Sequence, residues 1–268
     1  MTVLYSLGSG SRGNCFAIES DGAVLLLDAG FSAKEIERRA ELVGLALERL
    51  VGIVLTHEHG DHASGAPRMA CRFGVPVVTA PGTWASLRAE PDCAHVPIGF
   101  GVPAELGPFR VEGCPTSHDA AEPLAVVVRN ADGMSVGVAY DLGRPTAAVR
   151  YMLRYLTAVV LEANHDEVRL RTSGYPPVVQ RRIAGSGGHL SNRAAAQLLA
   201  ELHHPLLSAV VLAHLSQRCN SAEDALAAVG PVLRRAGFSG GLHVALQDVP
   251  LPPIALVQPT RAQYGFAL

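Results

Sequence analysis

Apolar residues in the first third of the chain form short runs separated by turn residues, and this pattern predicts strands that alternate with helices. The turn Asp21-Gly22 predicts a hairpin between two of these strands. Leucine and β-branched residues dominate positions 50–55, as expected of a strand that is buried on both faces. The predicted strands span residues 3–7, 16–19, 23–27, 50–55 and 75–79, and the predicted helices span 34–48 and 64–73.

The same alternation continues through the rest of the chain. Residues 166–188 are polar, rich in arginine and interrupted by Gly and Pro, so they predict an irregular arm, and the proline-interrupted residues 249–268 predict an extended end. No linker or repeat divides the sequence, so we expect one layered α/β domain over residues 1–268. Further predicted strands span 109–115, 124–129, 134–140, 158–162 and 206–213, and further helices span 146–156, 191–202 (capped by Ser191 or Asn192) and 222–236.

The composition is that of a folded protein, because 49% of the 268 residues are hydrophobic and only 17% are charged. No apolar run approaches the roughly 18 residues of a membrane span, so no membrane association is expected. The first residues lack the features of a secretory signal, and the five cysteines form no CxxC pair. We therefore expect a cytoplasmic protein with free thiols. The sequence specifies no oligomeric state.

The net charge of −2 excludes a general attraction of the whole molecule to nucleic acid. Positive charge is nevertheless concentrated locally: residues 165–193 contain five arginines against Asp166 and Glu167, a net charge of +3. An irregular basic arm suits phosphate binding, and the alternative interpretation is a solvated loop.

The segment Gly8-Ser9-Gly10-Ser11-Arg12-Gly13 matches the GxGxxG pattern of dinucleotide-binding proteins. That fold requires a helix directly after the glycines, whereas this sequence predicts another strand there. We therefore interpret the segment as a turn between strands, or as a loop whose backbone amides line a neighbouring site.

Four potential metal ligands lie within six residues directly after the buried strand 50–55. They belong to the segment Thr56-His57-Glu58-His59-Gly60-Asp61-His62. An extended backbone that turns at Gly60 lets His57 and His59 face one ion, while Asp61 and His62 face a second. The alternative, a surface histidine cluster, does not explain why a buried strand precedes the motif.

Other strands also end in ligand-type residues. His118, Asp141 and His214 each follow a predicted strand, and so does Asp28. We expect two ligand trios with Asp141 as a bridge, and we expect Asp28 to orient a ligand histidine. The first trio is His57, His59 and His118, and the second is Asp61, His62 and His214.

This ligand pattern resembles the metallo-β-lactamase superfamily, in which HxHxDH is followed by a distant His, Asp and His. The resemblance covers most of the chain and implies a four-layer αββα sandwich with a two-metal site at the sheet edges. Members of this superfamily hydrolyse β-lactams, thioesters and phosphodiesters, so the fold alone does not select a substrate.

Three further segments resemble the small YycJ/WalJ-type exonuclease subgroup, which is related to the catalytic domains of ribonucleases Z and J. They are residues 9–14, 162–166 and 188–192. The resemblance implies a phosphodiester hydrolase acting on nucleic acid, and we expect a DNA exonuclease without the inserted β-CASP domain of ribonuclease J. A thioester hydrolase of the glyoxalase-II type and a non-catalytic metal-holding module that binds nucleic acid or a partner are the alternatives.

The predicted mechanism uses two divalent ions, zinc or manganese, which hold a bridging hydroxide that attacks phosphorus. Asp61 orients this nucleophile, and His189 contacts the scissile phosphate or protonates the leaving oxygen. The predicted substrate-binding residues are Ser9, Ser11, Asn14, His165, Arg181 and Arg182.

Overall fold

A computed structural model describes residues 1–87 and 93–257. Within these residues two sheets pack face to face, and helices cover the outer face of each sheet. The strands, in chain order, are β1 (Thr2–Gly8), β2 (Cys15–Ser20), β3 (Ala23–Leu27), β4 (Leu50–Val54), β5 (Val77–Thr79), β6 (His95–Pro97), β7 (Ala104–Leu106), β8 (Phe109–Pro115), β9 (Leu124–Asn130), β10 (Ser135–Ala139), β11 (Ala158–Glu162), β12 (Ala209–Ala213), β13 (Gly241–Val244) and β14 (Ile254–Leu256).

Each sheet combines antiparallel and parallel pairing. The first sheet has the order β14-β1-β2-β3-β4-β5-β6, with parallel pairing from β3 to β6. The second has the order β13-β12-β11-β10-β9-β8-β7, with parallel pairing from β10 to β13. Parallel strands deliver their carboxyl ends to the same edge of a sheet, and this edge is where ligand-type residues can collect.

The helices connect the parallel strands and cover the sheets. A 3₁₀ turn also forms at Leu47–Arg49. The helices are α1 (Ala33–Leu42), α2 (Gly60–Ala63), α3 (Ala66–Phe73), α4 (Pro81–Ser86), α5 (Ala147–Met152), α6 (Glu167–Thr172), α7 (Pro177–Ile183), α8 (Asn192–Leu202) and α9 (Ala222–Arg235).

Three apolar layers hold this arrangement together. Leu25 and Phe109 lie in the layer between the sheets. On the outside, Ile36 of α1 belongs to the layer beneath the first sheet, and Leu199 of α8 belongs to the layer that covers the second. Burial of such side chains stabilises the fold by about 1.5–3 kcal/mol each. The predicted αββα sandwich is confirmed.

The predicted helix over 34–48 is too long. It ends at Leu42, and Gly44 adopts the left-handed conformation with φ +71°, which reverses the chain before the 3₁₀ turn. The strands predicted over 75–79 and 206–213 are shorter than expected, since they begin at Val77 and Ala209.

The prediction of an irregular arm over 166–188 is wrong, because this segment contains α6 and α7. The side chain of Asp166 caps α6 by accepting hydrogen bonds from the amides of Val168 and Arg169. Pro177 begins α7, where a missing amide hydrogen costs nothing. Ser191 is the cap of α8, which settles the choice between the two predicted caps.

Part of the predicted extended end is regular, since Ile254–Leu256 pairs with β1 as an edge strand. Residues 258–268 of that prediction lie outside the described residues. Among the described residues, every helix is too short or too polar to cross a membrane.

Candidate metal centre

Carboxyl ends of parallel strands from both sheets face one another at a single edge of the sandwich. Asp28 follows β3, His57 follows β4, Asp141 follows β10 and His214 follows β12. The chain after β4 turns directly into α2, so Asp61 and His62 lie in the first turns of that helix, close to His57. The sheet topology therefore brings together residues that are up to 186 positions apart in the sequence.

All seven predicted ligands lie in this cluster. The first predicted trio converges on one point: Nε2 of His57 is 3.1 Å from Nδ1 of His59, which is 3.3 Å from Nε2 of His118. In the second trio, Oδ2 of Asp61 lies 3.3 Å from Nε2 of His214 and 3.4 Å from Nε2 of His62. Each trio offers three ligand atoms that lie within 4.8 Å of one another.

Asp141 lies between the two trios. Its Oδ2 atom is 2.9 Å from Nε2 of His62 and 3.6 Å from Nε2 of His57, while Oδ1 is 3.5 Å from Nδ1 of His214. Oδ2 is buried and is not aligned for a hydrogen bond with any described residue. A buried carboxylate oxygen that faces two imidazole nitrogens in this way fits a cation between them, and the donor set suits a divalent metal.

The ionisation states of the ligands fit a cation only in part. Burial lowers the pKa of His57, and the charge of the neighbouring His62 adds to this effect. Burial likewise lowers the pKa of His118. The rings of His57 and His118 are therefore neutral near pH 7, which is the form that binds metal.

Burial opposes the charge of His62 and His214, but Asp141 and neighbouring carboxylates raise the pKa values of both rings above their usual range, so a metal ion must displace a proton from each. Burial opposes ionisation of Asp61 and Asp141, but His214 and His62 outweigh it and hold both carboxyl pKa values below their usual range.

Asp28 orients His62 from beneath the site. Its Oδ2 atom is 2.6 Å from Nδ1 of His62, and both side chains are fully buried. The carboxylate is itself fixed, because Oδ1 accepts the Thr56 amide hydrogen at 2.8 Å and Oδ2 accepts the Thr56 hydroxyl hydrogen at 2.8 Å. A hydrogen bond at Nδ1 directs Nε2 of His62 toward the site.

Three of these strand-end residues have left-handed backbone conformations although none is glycine. The φ angles are +58° at Asp28, +55° at Asp141 and +54° at His214. Such conformations cost on the order of 1–2 kcal/mol per residue. They turn each side chain out of its strand and toward the cluster.

Sequence reasoning missed Glu162, which ends β11 beside these residues. Its Oε2 atom accepts the amide hydrogens of Leu142 and Leu190, and its Oε1 atom lies 2.7 Å from Nδ1 of His189 and 3.2 Å from Nδ1 of His214. The signal was present, because Glu162 also ends an apolar strand with a carboxylate.

His189 lies against the cluster, with Nδ1 3.0 Å from Oδ1 of Asp141 as well as near Glu162. Burial alone would lower the pKa of His189, but the charge and hydrogen bond of Glu162, together with Asp141, raise it to about 10. Burial alone would raise the pKa of Glu162, but His189 and His214 lower it to about 2.

The predicted substrate-binding residues fall into two groups. Ser11 and Arg182 line a cavity of about 420 Å³ together with His59, Asp61 and His189. His165 lies in an adjoining cavity of about 510 Å³ that also contacts His189.

By contrast, Ser9 and Asn14 are buried beneath the metal ligands. The Ser9 hydroxyl donates to Oδ1 of Asn14 at 2.7 Å and accepts the His214 amide hydrogen at 2.8 Å. These bonds favour a role in positioning the ligands over the predicted contact with substrate.

Helix α7 forms a roof over the cavity. Arg182 on this helix donates to Oδ2 of Asp119 at 2.7 Å, and the Ser117 hydroxyl donates to the Ser186 carbonyl at 2.5 Å. Gly143 contacts the end of the roof so closely that a Cβ atom there would lie 2.0 Å from the Ser186 oxygen. Arg181 is exposed and has no ion-pair partner among residues 1–87 and 93–257.

The comparisons with known proteins agree with this geometry. The metallo-β-lactamase superfamily matches residues 8–124. Exodeoxyribonuclease YycJ of Bacillus anthracis is 32% identical over 264 residues, covering 96% of this chain and 97% of the relative. Exodeoxyribonuclease WalJ of Streptococcus pneumoniae (strain R6) is 28% identical over 249 residues, covering 90% and 92%.

Among solved structures, the metallo-β-lactamase fold protein YhfI of Bacillus subtilis superposes with a TM-score of 0.70 at 16% identity, covering 93% of this chain and 98% of that one. The fold and the donor set define a metal-dependent hydrolase. The chain belongs to the metallo-β-lactamase superfamily and, within it, to the family of the relatives YycJ and WalJ.

Proposed function

We propose that the protein is a nuclease that removes nucleotides from the ends of DNA, using two divalent metal ions. One observation carries this proposal: a paired donor cluster joined by Asp141 lies beneath a helix that carries Arg181 and Arg182. The whole-length similarity to relatives named exodeoxyribonucleases supports DNA as the substrate.

Zinc and manganese both suit a site of five imidazoles and two carboxylates. When bound, two such ions supply the Lewis acidity that lowers the pKa of a water from about 15.7 to near 7 and that neutralises charge on a phosphate. His57, His59 and His118 would hold one ion, and Asp61, His62 and His214 the other, with Asp141 shared.

The residues around the ions have separate tasks. Asp61 accepts a hydrogen bond from the attacking water and orients it toward phosphorus. Glu162 accepts the Nδ1 hydrogen of His189, which leaves Nε2 of His189 to deliver a proton to the leaving oxygen. Because a DNA alkoxide is a poor leaving group, this proton transfer accelerates cleavage of the P–O bond.

Phosphate contacts at the mouth of the cavity would hold the DNA strand. Arg182 and Ser11 line the cavity, Arg181 lies beside them on α7, and His165 lines the adjoining cavity. Contacts of this kind go to the backbone rather than to base edges, so we expect cleavage with little sequence preference.

Labelled oligonucleotides test the proposal. Metal-free protein is supplied with Mn²⁺ or Zn²⁺ and mixed with DNA labelled at either end, or with RNA of the same sequence. We expect stepwise shortening of DNA, and a loss of at least about 100-fold in Asp61→Asn. Glu41→Gln, which removes an exposed carboxylate on α1, is the matched control and keeps its activity.

Two outcomes would overturn the proposal. Rapid hydrolysis of S-lactoylglutathione with intact oligonucleotides would identify a thioester hydrolase instead. Metal and DNA binding without turnover would identify a non-catalytic binding module.

We also propose that the protein acts in the cytoplasm. Cys15, Cys71, Cys114 and Cys219 are free thiols, which persist in a reducing compartment.

A further inference from the structure

A short chain of buried hydrogen bonds links the two halves of the metal centre. It begins at the His214 amide, passes through the Ser9 hydroxyl to Oδ1 of Asn14, and continues from Asn14 to the Asp61 carbonyl. Ser9 and Asn14 are at most 1% exposed, so neither side chain reaches the cavity. Every polar atom of the two side chains has a partner within the protein.

On one side, this series of hydrogen bonds holds the backbone of His214. The amide hydrogen of His214 is accepted by Ser9, and its carbonyl accepts from Nδ2 of Asn164 at 2.9 Å. His214 has a left-handed backbone with φ +54°, which a residue with a Cβ atom keeps only when its surroundings enforce it. Ser9 and Asn164 clamp this conformation from both ends.

On the other side, the same series of hydrogen bonds holds the start of α2. The backbone amide of Asn14 donates to the Asp61 carbonyl at 2.8 Å. The side-chain Nδ2 of Asn14 lies 3.2 Å from the same oxygen and 3.1 Å from Nε2 of His62. One asparagine therefore contacts two of the three residues of the second trio, while its hydrogen-bond partner Ser9 contacts the third.

We propose that Ser9 and Asn14 are positioning residues that set the distance between Asp61 and His214, and thereby the affinity of the second trio for a metal ion. This inference rests on the proposed metal-dependent function, because it concerns how the cluster binds its ions. The first trio of His57, His59 and His118 has no bond to Ser9 or Asn14 among the described residues, so we expect its affinity for a metal ion to depend little on these two side chains.

Metal titration tests the inference without any substrate. Metal-free protein is titrated with Zn²⁺ in competition with a chromogenic chelator, for the wild type, Ser9→Ala and Asn14→Asp. We expect wild-type affinity for the first equivalent and a 10–100-fold loss for the second, the usual effect of removing a partner that orients a ligand. Arg12→Ala, which removes an exposed side chain in the same loop, keeps both affinities.

A kinetic readout separates positioning from substrate contact. With metal below saturation, kcat for an oligonucleotide falls in Ser9→Ala while KM stays at the wild-type value. Asn14→Asp keeps the size of the side chain and the Oδ1 acceptor, so it tests the same idea even where the unsatisfied His214 amide of Ser9→Ala prevents folding.

The inference would be overturned if both variants bound two equivalents of Zn²⁺ with wild-type affinity. An increase in KM with unchanged metal affinity would also overturn it. A wild-type protein that binds no second equivalent would instead defeat the proposed two-metal function, so the two failures are distinguishable.

Discussion

The carboxylate of Asp28 lies 2.6 Å from Nδ1 of His62, and neither side chain contacts solvent. The two residues come from neighbouring elements, since Asp28 follows β3 and His62 belongs to α2 after the adjacent strand. Because the hydrogen bond fixes the ring, the orientation of one ligand is set before any metal arrives.

Replacing Asp28 by asparagine should weaken metal binding. Asparagine keeps the acceptor for the Thr56 amide but cannot support His62 as a carboxylate does, so we expect a 10–100-fold loss of metal affinity. Isothermal titration of metal-free protein measures this loss. The control is Asp21→Asn in an exposed turn, where asparagine before glycine is favourable; equal losses in both variants would contradict the specific role of Asp28.

The proton-delivery role of Glu162 and His189 predicts a dependence on the leaving group. In His189→Ala and Glu162→Gln, cleavage of DNA should fall by about 10²–10⁴, because an alkoxide leaving group requires a proton. Hydrolysis of bis(p-nitrophenyl) phosphate should fall by less than about 10-fold, because p-nitrophenolate leaves without one. Parallel rate measurements on the two substrates decide the matter, and equal losses on both would refute this role.

Arg182 predicts an effect on substrate affinity rather than on chemistry. Arg182→Ala should raise KM for an oligonucleotide, leave kcat within about twofold, and reduce the slope of log binding constant against log salt by about 0.7–0.9. Binding curves at several salt concentrations measure the slope. Arg110→Ala removes an exposed arginine that pairs with Glu105 and Glu112 far from the site, and its slope should stay unchanged.

The close contact between Gly143 and Ser186 should couple the segment after α7 to the rate of catalysis. A methyl group in Gly143→Ala would displace the chain at Ser186, which precedes His189 by three residues. We expect a loss of about 1–3 kcal/mol in unfolding free energy and a lower kcat. Denaturant unfolding and steady-state rates check both effects. Gly99→Ala, where a Cβ atom meets no neighbour, is the control that should change neither.

Glu35 predicts a pH dependence of stability away from the site. Hydrogen bonds from Arg38 and Arg39 lower the pKa of Glu35 to about 2, below the value of about 4.3 in an unfolded chain. A lowered carboxyl pKa stabilises the fold above about pH 4.5, and this contribution disappears as the pH falls toward 2.

The ion pairs of Glu35 with Arg38 and Arg39 are partly exposed, so their contribution to the free energy of unfolding is at most about 1 kcal/mol. Urea unfolding of wild type and Glu35→Gln at pH 7 and pH 3 measures it, and the difference between the two proteins should be smaller at pH 3. Glu41→Gln on the same helix serves as the reference variant, and an equal difference at both pH values would contradict the role of Glu35.

The pattern of strands and helices predicts a layered α/β domain with ligand-type residues at the strand ends, whereas the four-layer sandwich is implied by the resemblance to the metallo-β-lactamase superfamily. A buried strand such as Ala158–Glu162 is predicted with its observed bounds, and a strand end before His214 or Asp141 marks an edge of a parallel sheet. Convergence of these ends is a property of topology, which the alternation of strands and helices already implies.

What the sequence does not predict depends on contacts across long distances. Ser9 contacts His214 over 205 positions, and nothing local distinguishes this buried serine from the exposed Ser11 two residues later. Helix α7 has no fully buried residue, so it lacks the apolar periodicity that would reveal it. Local pattern carries little information about either feature.

The left-handed backbones at Asp28, Asp141 and His214 lower the stability of the fold, whereas the side chains at these positions serve the metal centre. Glycine would adopt the same angles without steric penalty, so relief of backbone strain alone would favour glycine at all three positions. A chain so altered would be relieved of this backbone strain, but it would lose the carboxylate that orients His62 and two of the residues that would hold the cations. Retention of a carboxylate or an imidazole there means that this molecule tolerates a weaker scaffold in exchange for reactivity, and an inactive descendant would be recognisable by glycines in those three places.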